Sequence, residues 1–141
     1  MSKIRVIIAG SRDFSDFGLL DEIVTSVFRN TIWKKGYKNS DVEIVCGKAR
    51  GADTLGEWYA KSMNIDVVYF PANWNLYGAG AGIIRNEEMA IYASEKPGFG
   101  ALIALWDGKS RGTKSMIDLA KKYRLAIFVY NYKDNKWFMK K

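Results

Sequence analysis

The chain has 141 residues and a formal net charge of +7, from 22 Lys and Arg against 15 Asp and Glu. It has no histidine and one cysteine, Cys46, which excludes a Ser-His-Asp triad, a Cys-His pair, a His-built metal site and an internal disulfide. Hydrophobic residues make up 48% of the chain, enough for the core of one domain over residues 1–141 and too many for a disordered segment.

Short apolar runs alternate with helical patterns along the chain. Residues 6–9 read as a first strand, buried on both faces because its apolar residues do not alternate with polar ones. Leu20, Ile23, Val24, Val27 and Phe28 recur at helical spacing, which predicts an amphipathic helix over 16–31 with Asp16 as N-cap. Residues 42–46 form a second strand. A second helix spans 53–63, with Leu55, Trp58, Tyr59 and Met63 on its apolar side. A third strand, 67–70, is stopped by Pro71. A long connection runs from 71 to 84, followed by a short helix over 85–93. Residues 101–106 give a fourth strand, 113–123 a fourth helix facing inward through Met116, Ile117, Ala120 and Tyr123, and 126–129 a fifth strand. The aromatic tail over 130–138 suits an added edge strand.

This alternation predicts an α/β fold: a single Rossmann-like three-layer α/β/α domain with a mainly parallel sheet of five or more strands. The core covers about 4–129, and a basic aromatic tail covers 130–141. Right-handed crossovers place every strand-to-helix loop on one edge, where ligands of open α/β sheets bind. Four loops meet there. They are Gly10-Ser11-Arg12-Asp13; Gly47-Lys48-Ala49-Arg50-Gly51-Ala52-Asp53; the connection holding Asn73, Trp74, Gly78, Gly80, Gly82, Arg85 and Asn86; and Asp107-Gly108-Lys109-Ser110-Arg111-Gly112-Thr113. Each carries glycine and arginine. Glycine lets backbone N–H groups approach a ligand, helix N-termini add oriented donors, and arginine binds oxyanions in a bidentate manner. The combination suits a small molecule bearing phosphate or carboxylate.

Several residues have two readings. Glycines after strands also serve as plain turn residues. Trp74 and Tyr77 either stack on a base or pack their loop onto the domain. Asp53 is either a site carboxylate or a helix cap. Glu87 and Glu88 are either spare carboxylates or solvated helix surface. Cys46 is either a reactive thiol or a packed hydrophobe. Two look-alike motifs fail. A Walker A reading of Gly108-Lys109-Ser110 puts the first glycine at Ile103, and a dinucleotide fingerprint from Gly78 and Gly80 needs glycine at Ile83.

The ordered set Gly10-Ser11-Arg12-Asp13, Cys46-Gly47-x-Ala49-Arg50-Gly51-Ala52-Asp53, Pro71-Ala72-Asn73-Trp74, Ala81-Gly82-x-x-Arg85-Asn86-x-x-Met89 and Ser110-Arg111-Gly112-Thr113 resembles the YspA-like branch of the SLOG superfamily, found in bacteria and phages. That superfamily joins Lonely-guy phosphoribohydrolases, DprA proteins and nucleotide-sensing domains. The resemblance implies a nucleotide or nucleotide-derived ligand, sensed or sequestered. The ligand-binding residues expected are Gly10, Ser11, Arg12, Gly47, Arg50, Gly51, Asp53, Asn73, Trp74, Arg85, Asn86, Gly108, Ser110, Arg111, Gly112 and Thr113. The alternative is a nucleotide N-glycosidase with Arg85 and Asp53 as catalytic residues, although the Lonely-guy glutamate falls on Met116, whose thioether carries no proton. A third reading is DprA-like nucleic-acid binding. No cofactor and no metal are expected, nor is a membrane partner. A homo-oligomer and a cytoplasmic location, in a bacterial cell or phage-infected host, complete the expectation.

The charge is concentrated. Arg29, Lys34, Lys35 and Lys38 carry +4, and Lys133, Lys136, Lys140 and Lys141 against Asp134 carry +3, so the rest of the chain is neutral. These stretches read as a solvated connection and a solubilising tail, or as a nucleic-acid patch.

Overall fold

The computed structural model describes residues 3–49 and 51–140. The expected alternation is present as β1 (Ile4–Gly10), α1 (Phe17–Thr31), β2 (Val42–Cys46), α2 (Ala52–Ser62), β3 (Asp66–Tyr69), α3 (Trp74–Tyr77), α4 (Ala81–Ala93), β4 (Gly100–Trp106), α5 (Arg111–Lys122), β5 (Ala126–Asn131) and β6 (Lys136–Lys140). The six strands make one sheet in the order β3-β2-β1-β4-β5-β6. The first five strands are parallel, and β6 returns antiparallel to β5. This is the doubly wound Rossmann-like order, which reverses direction between β1 and β4.

Burial explains the non-alternating strands. Val6 and Ile8 of β1 face one core, with Leu20, Val24 and Phe28 of α1 and Leu55 and Tyr59 of α2. Ile7 and Ala9 face the other core, with Met89 and Ala93 of α4 and Met116 and Ile117 of α5. Both sheet faces are therefore covered, as a buried parallel sheet requires. Asp16 caps α1 as expected, accepting from Leu19 N at 3.0 Å. The tail does add an edge strand, with Trp137 against Tyr130 and Phe138 against Trp106 at ring distances of 5.4 and 5.1 Å. No helix among the described residues is long and apolar enough to cross a membrane.

Three expectations are corrected. The connection over 71–84 is helical rather than open. Asn73 caps α3 by accepting from Leu76 N at 3.1 Å, Gly78 closes α3 with a positive φ of 57°, and α4 begins at Ala81, four residues early. Ala81, Arg85 and Met89 are buried one above another, so the helical period runs through the glycines. Trp58 is 55% exposed rather than core-facing. Leu55 and Tyr59 hold the inner side of α2, and Trp58 lies against Phe17 at 6.3 Å. Asp53 does not cap α2; Gly51 occupies that position.

Parallel topology also places the charge. Helix α1 runs back from the carboxyl ends of the strands, so exposed Arg29, Lys34, Lys35 and Lys38 lie at the opposite, amino edge.

Phe28 is fully buried and meets Trp33 and Tyr59 edge-on at 5.8 and 5.9 Å. Phe28→Ala is expected to cost about 3–5 kcal/mol of unfolding free energy. Urea denaturation measures it, and an unchanged midpoint contradicts this packing.

Candidate functional site

The sheet order reverses between β1 and β4, and the space beyond their carboxyl ends is where such folds bind ligands. After β1 the chain turns under β4, with Ser11 N donating to Leu105 O at 3.1 Å. Ser11 is buried, and its hydroxyl accepts from Asp107 N at 3.1 Å and lies 3.2 Å from Ser110 Oγ. Ser110 Oγ in turn donates to Thr113 Oγ1 at 3.0 Å. Asp107 Oδ1 accepts from the N–H groups of Lys109 and Ser110 at 2.9 and 2.7 Å, which folds the loop into α5. Partial burial opposes ionisation of Asp107, but these N–H groups and the Ser11 hydroxyl hold its pKa below the usual range.

Three hydroxyls thus gather at the start of α5. Ser110 is the N-cap, yet its side chain makes no capping bond, and the first turn carries no acid. The first N–H groups of a helix have no partner within it and carry its positive end, and Ser110 and Thr113 belong to that turn.

A second cluster joins three further segments. Arg85 is 8% exposed, and its Nη1 donates to Gly47 O while its Nε donates to Asn86 Oδ1 at 3.0 Å. Asn86 Nδ2 continues to Gly112 O at 3.3 Å. Asp53 is 5% exposed and accepts from Ala49 N at 3.3 Å. Burial pushes the Asp53 carboxyl up to about 6, against the opposing pull of the nearby Arg85 charge and the Ala49 N–H. Burial likewise lowers the pKa of Arg85, although Asp53 opposes that shift. Gly47 separates these groups: a Cβ there would sit 2.6 Å from Arg85 Nη1 and 2.8 Å from Asp53 Oδ2. Gly51, with φ of 77°, lets the second loop touch the Ser11 and Arg12 carbonyls, where a side chain would collide. Cys46 is a packed thiol: its Sγ donates to Asp53 O at 3.3 Å, and burial pushes its pKa up to about 11.

The clusters enclose an open cleft of about 510 Å³. Gly10, Ser11, Arg12, Asp53, Arg85, Asn86, Ser110, Gly112 and Thr113 line it, as does Met116. Gly47, Arg12, Arg85 and Trp74 line an adjoining cavity, and Asn73 lies with Trp74 on its outer side. Gly108 and exposed Arg111 line neither, and Arg50 lies outside the described residues. Glu87 is surface, bound to Tyr123 OH and Lys122 Nζ. The sequence patterns missed Tyr132, whose hydroxyl donates to Asp13 Oδ1 at 2.9 Å and whose ring meets Phe14 at 4.8 Å. It reaches the cleft rim from the tail, and no loop motif signals that. Ala79 and Ile83 also went unsignalled, since small and apolar side chains carry no chemical pattern, whereas Ala49 lay in the second loop motif.

The fold defines a Rossmann-like α/β protein with a cleft at its topological switch point. Residues 4–77, just over half of the chain, match the YspA, cpYpsA-related SLOG family, and the chain belongs to that family. It is 29% identical over 140 residues to the Gene 61 protein of Mycobacterium phage D29, covering 92% of this chain and 97% of the relative. The X-ray structure of DNA processing protein A (DprA) from Streptococcus pneumoniae shares the fold, with a TM-score of 0.64 at 14% identity. That match covers 91% of this chain and 50% of the DprA chain, so this chain spans about half the length of that protein.

Asp53 gives a pH signature. Its raised folded pKa favours the protonated fold, so stability is full at low pH and falls as pH rises from about 4 to about 6. Asp53→Asn removes that titration, and its advantage over wild type is expected to grow across this window to on the order of 3 kcal/mol. Thermal melts across pH measure it, and parallel curves contradict the burial of this carboxyl. Gly47→Ala is expected to cost about 1–3 kcal/mol through overpacking. A melting temperature equal to wild type sinks that assignment.

Proposed function

We propose that the cleft binds a nucleotide or nucleotide-derived small molecule, with its phosphate at the start of α5. The observation that carries this reading is the convergence of the Ser11, Ser110 and Thr113 hydroxyls on an uncapped, acid-free helix N-terminus at the switch point. Helix N–H groups and the macrodipole favour a phosphate there. Arg12 stands at the rim as an exposed cation. Asn86 and Asp53 supply the polar groups that suit a ribose. Arg85 acts from the cleft wall, with two of its donors already holding Gly47 and Asn86. Its role is to fix loop geometry and add positive potential rather than to grip phosphate directly.

A second reading, hydrolysis of a nucleotide N-glycosidic bond, is favoured by one observation. Asp53 is a cleft carboxyl with its pKa raised to about 6, a suitable poise for a proton carrier. Met116 lines the same cleft and offers no carboxylate. Release of free base from nucleoside monophosphates, lost in Asp53→Asn, separates hydrolysis from binding alone.

The name of the DprA neighbour raises a nucleic-acid reading. The +4 stretch at 29–38 lies at the edge opposite the cleft, so the two features do not form one surface.

Calorimetric titration with nucleoside monophosphates, ADP-ribose and cyclic nucleotides tests the binding proposal. At least one is expected to bind, and Thr113→Val is expected to weaken it about tenfold, the worth of one hydrogen bond to a charged group. No heat from any of them contradicts the proposal.

A further inference from the structure

A second hollow lies at the sheet edge opposite the cleft. It measures about 310 Å³ and sits at the amino ends of β1, β4 and β5, beside the last turn of α1. Its origin is topological. Helices α4 and α5 both pack on one sheet face, which leaves α1 and α2 to cover the other. Two helices about 10 Å wide span roughly four strands at about 4.8 Å spacing, and the sheet has six. Where α1 ends, the uncovered strands carry Gly100, Ala101 and exposed Ala126, whose side chains are too small to fill the gap.

The lining has three parts. Val6, Phe28, Ile103 and Phe128 form a buried apolar floor. Tyr37 and Phe99 form an aromatic rim, with their rings edge-on at 6.0 Å. Lys35 also lines the hollow, and the Lys96 ammonium lies over the Phe99 ring at 4.1 Å. The backbone carbonyls at this end of α1 are already used. Phe28 O accepts from Ile32 N at 2.9 Å, Ile32 O from Lys35 N and Tyr37 N at 3.2 Å, and Val27 O from Thr31 Oγ1 at 2.6 Å.

The charge around the hollow has one sign. No lining residue is acidic, and exposed Lys34 and Lys38 flank it in a stretch from 29 to 38 that holds no acid. Asp41 and Glu95, the acids that flank these segments in the chain, are taken by Lys38 N and by Arg5 Nη1. Lys35 and Lys96 make no ion pair among the described residues. An apolar cavity of this size with a few open polar groups at its mouth has the build of a small-molecule site. Its chemistry matches an apolar body that ends in one negative charge.

We infer that this hollow is a ligand site separate from the cleft, and that it takes an unbranched aliphatic carboxylate of medium chain length. The chain lies on the Val6, Phe28, Ile103 and Phe128 floor, and the carboxylate meets Lys35 at the rim. The two cavities share no lining residue, so this site stands or falls independently of the nucleotide reading.

Calorimetry on the full chain tests it with acetate, hexanoate, octanoate and decanoate, each below its micelle concentration. Affinity is expected to rise about fourfold per added methylene, the worth of one buried CH₂, until the hollow is full. Ala126→Phe places a ring in the gap and is expected to abolish binding. Lys35→Met is expected to weaken decanoate about threefold, within the range of an exposed ion pair, and to leave decanol unchanged, with Lys35→Arg restoring decanoate. Amide shifts in the NMR spectrum of the wild-type chain are expected at Tyr37, Phe99 and Gly100, and they locate the site even if Ala126→Phe does not fold. No saturable binding of decanoate, no dependence on chain length, undiminished binding in folded Ala126→Phe, or shifts confined to the carboxyl-edge loops overturns the site. Decanol bound by wild type as tightly as decanoate, or decanoate unaffected by Lys35→Met, overturns the anionic ligand.

Discussion

The buried guanidinium of Arg85 ties together segments that share no local sequence. It reaches from α4 to the Gly47 carbonyl after β2 and, through Asn86, to Gly112 in the first turn of α5. Taking a guanidinium out of water is costly unless its donors find partners, and here the backbone of one loop takes Nη1 and a neighbouring amide takes Nε. Asp53 beside it carries the other half of that cost, as its raised pKa shows. The loops of the carboxyl edge are therefore held relative to one another by a polar cluster inside the protein. The groups left facing the cleft arrive already positioned.

That division separates two kinds of polar residue. Arg85, Asn86 and Asp53 make hydrogen bonds inward, to Gly47, Gly112, Ala49 and one another. Ser11, Ser110 and Thr113 present hydroxyls beside an uncapped helix, and Arg12 projects into solvent. The first set braces the loops from the cleft wall, and the second set is open to the cleft or to solvent. Gly47 and Gly51 permit both, because a side chain at either position would displace the cluster or the Ser11–Arg12 turn.

Much of this was legible in the residues. Strand β2 ends where its apolar run meets Gly47, and α1 begins where Asp16 caps it. The coincidence of glycine and arginine in four loops marked the sheet edge where the cleft opens, because a parallel topology leaves those loops nowhere else to go. The misreadings have physical causes. Glycines 78, 80 and 82 disguised the start of α4, whose helical period is carried by Ala81, Arg85 and Met89. Arginine in a glycine loop reads as an anion ligand, whereas the fate of Arg85 was decided by a carbonyl 38 residues away. Tyr132 anchors Asp13 across 119 residues, a contact created where β5 ends beside β4 and Tyr132 N donates to Trp106 O at 3.1 Å. The basic stretch at 29–38 gained meaning only from its edge.

The central claim is that the start of α5 holds the phosphate of a nucleotide ligand. A crystal structure with AMP bound tests it most directly. The account predicts the phosphate within hydrogen-bonding reach of the Thr113 N–H and of at least one of the Ser11, Ser110 and Thr113 hydroxyls. A nucleotide whose phosphate sits instead on the basic residues 29–38, with the β1–β4 cleft free of it, would contradict the account.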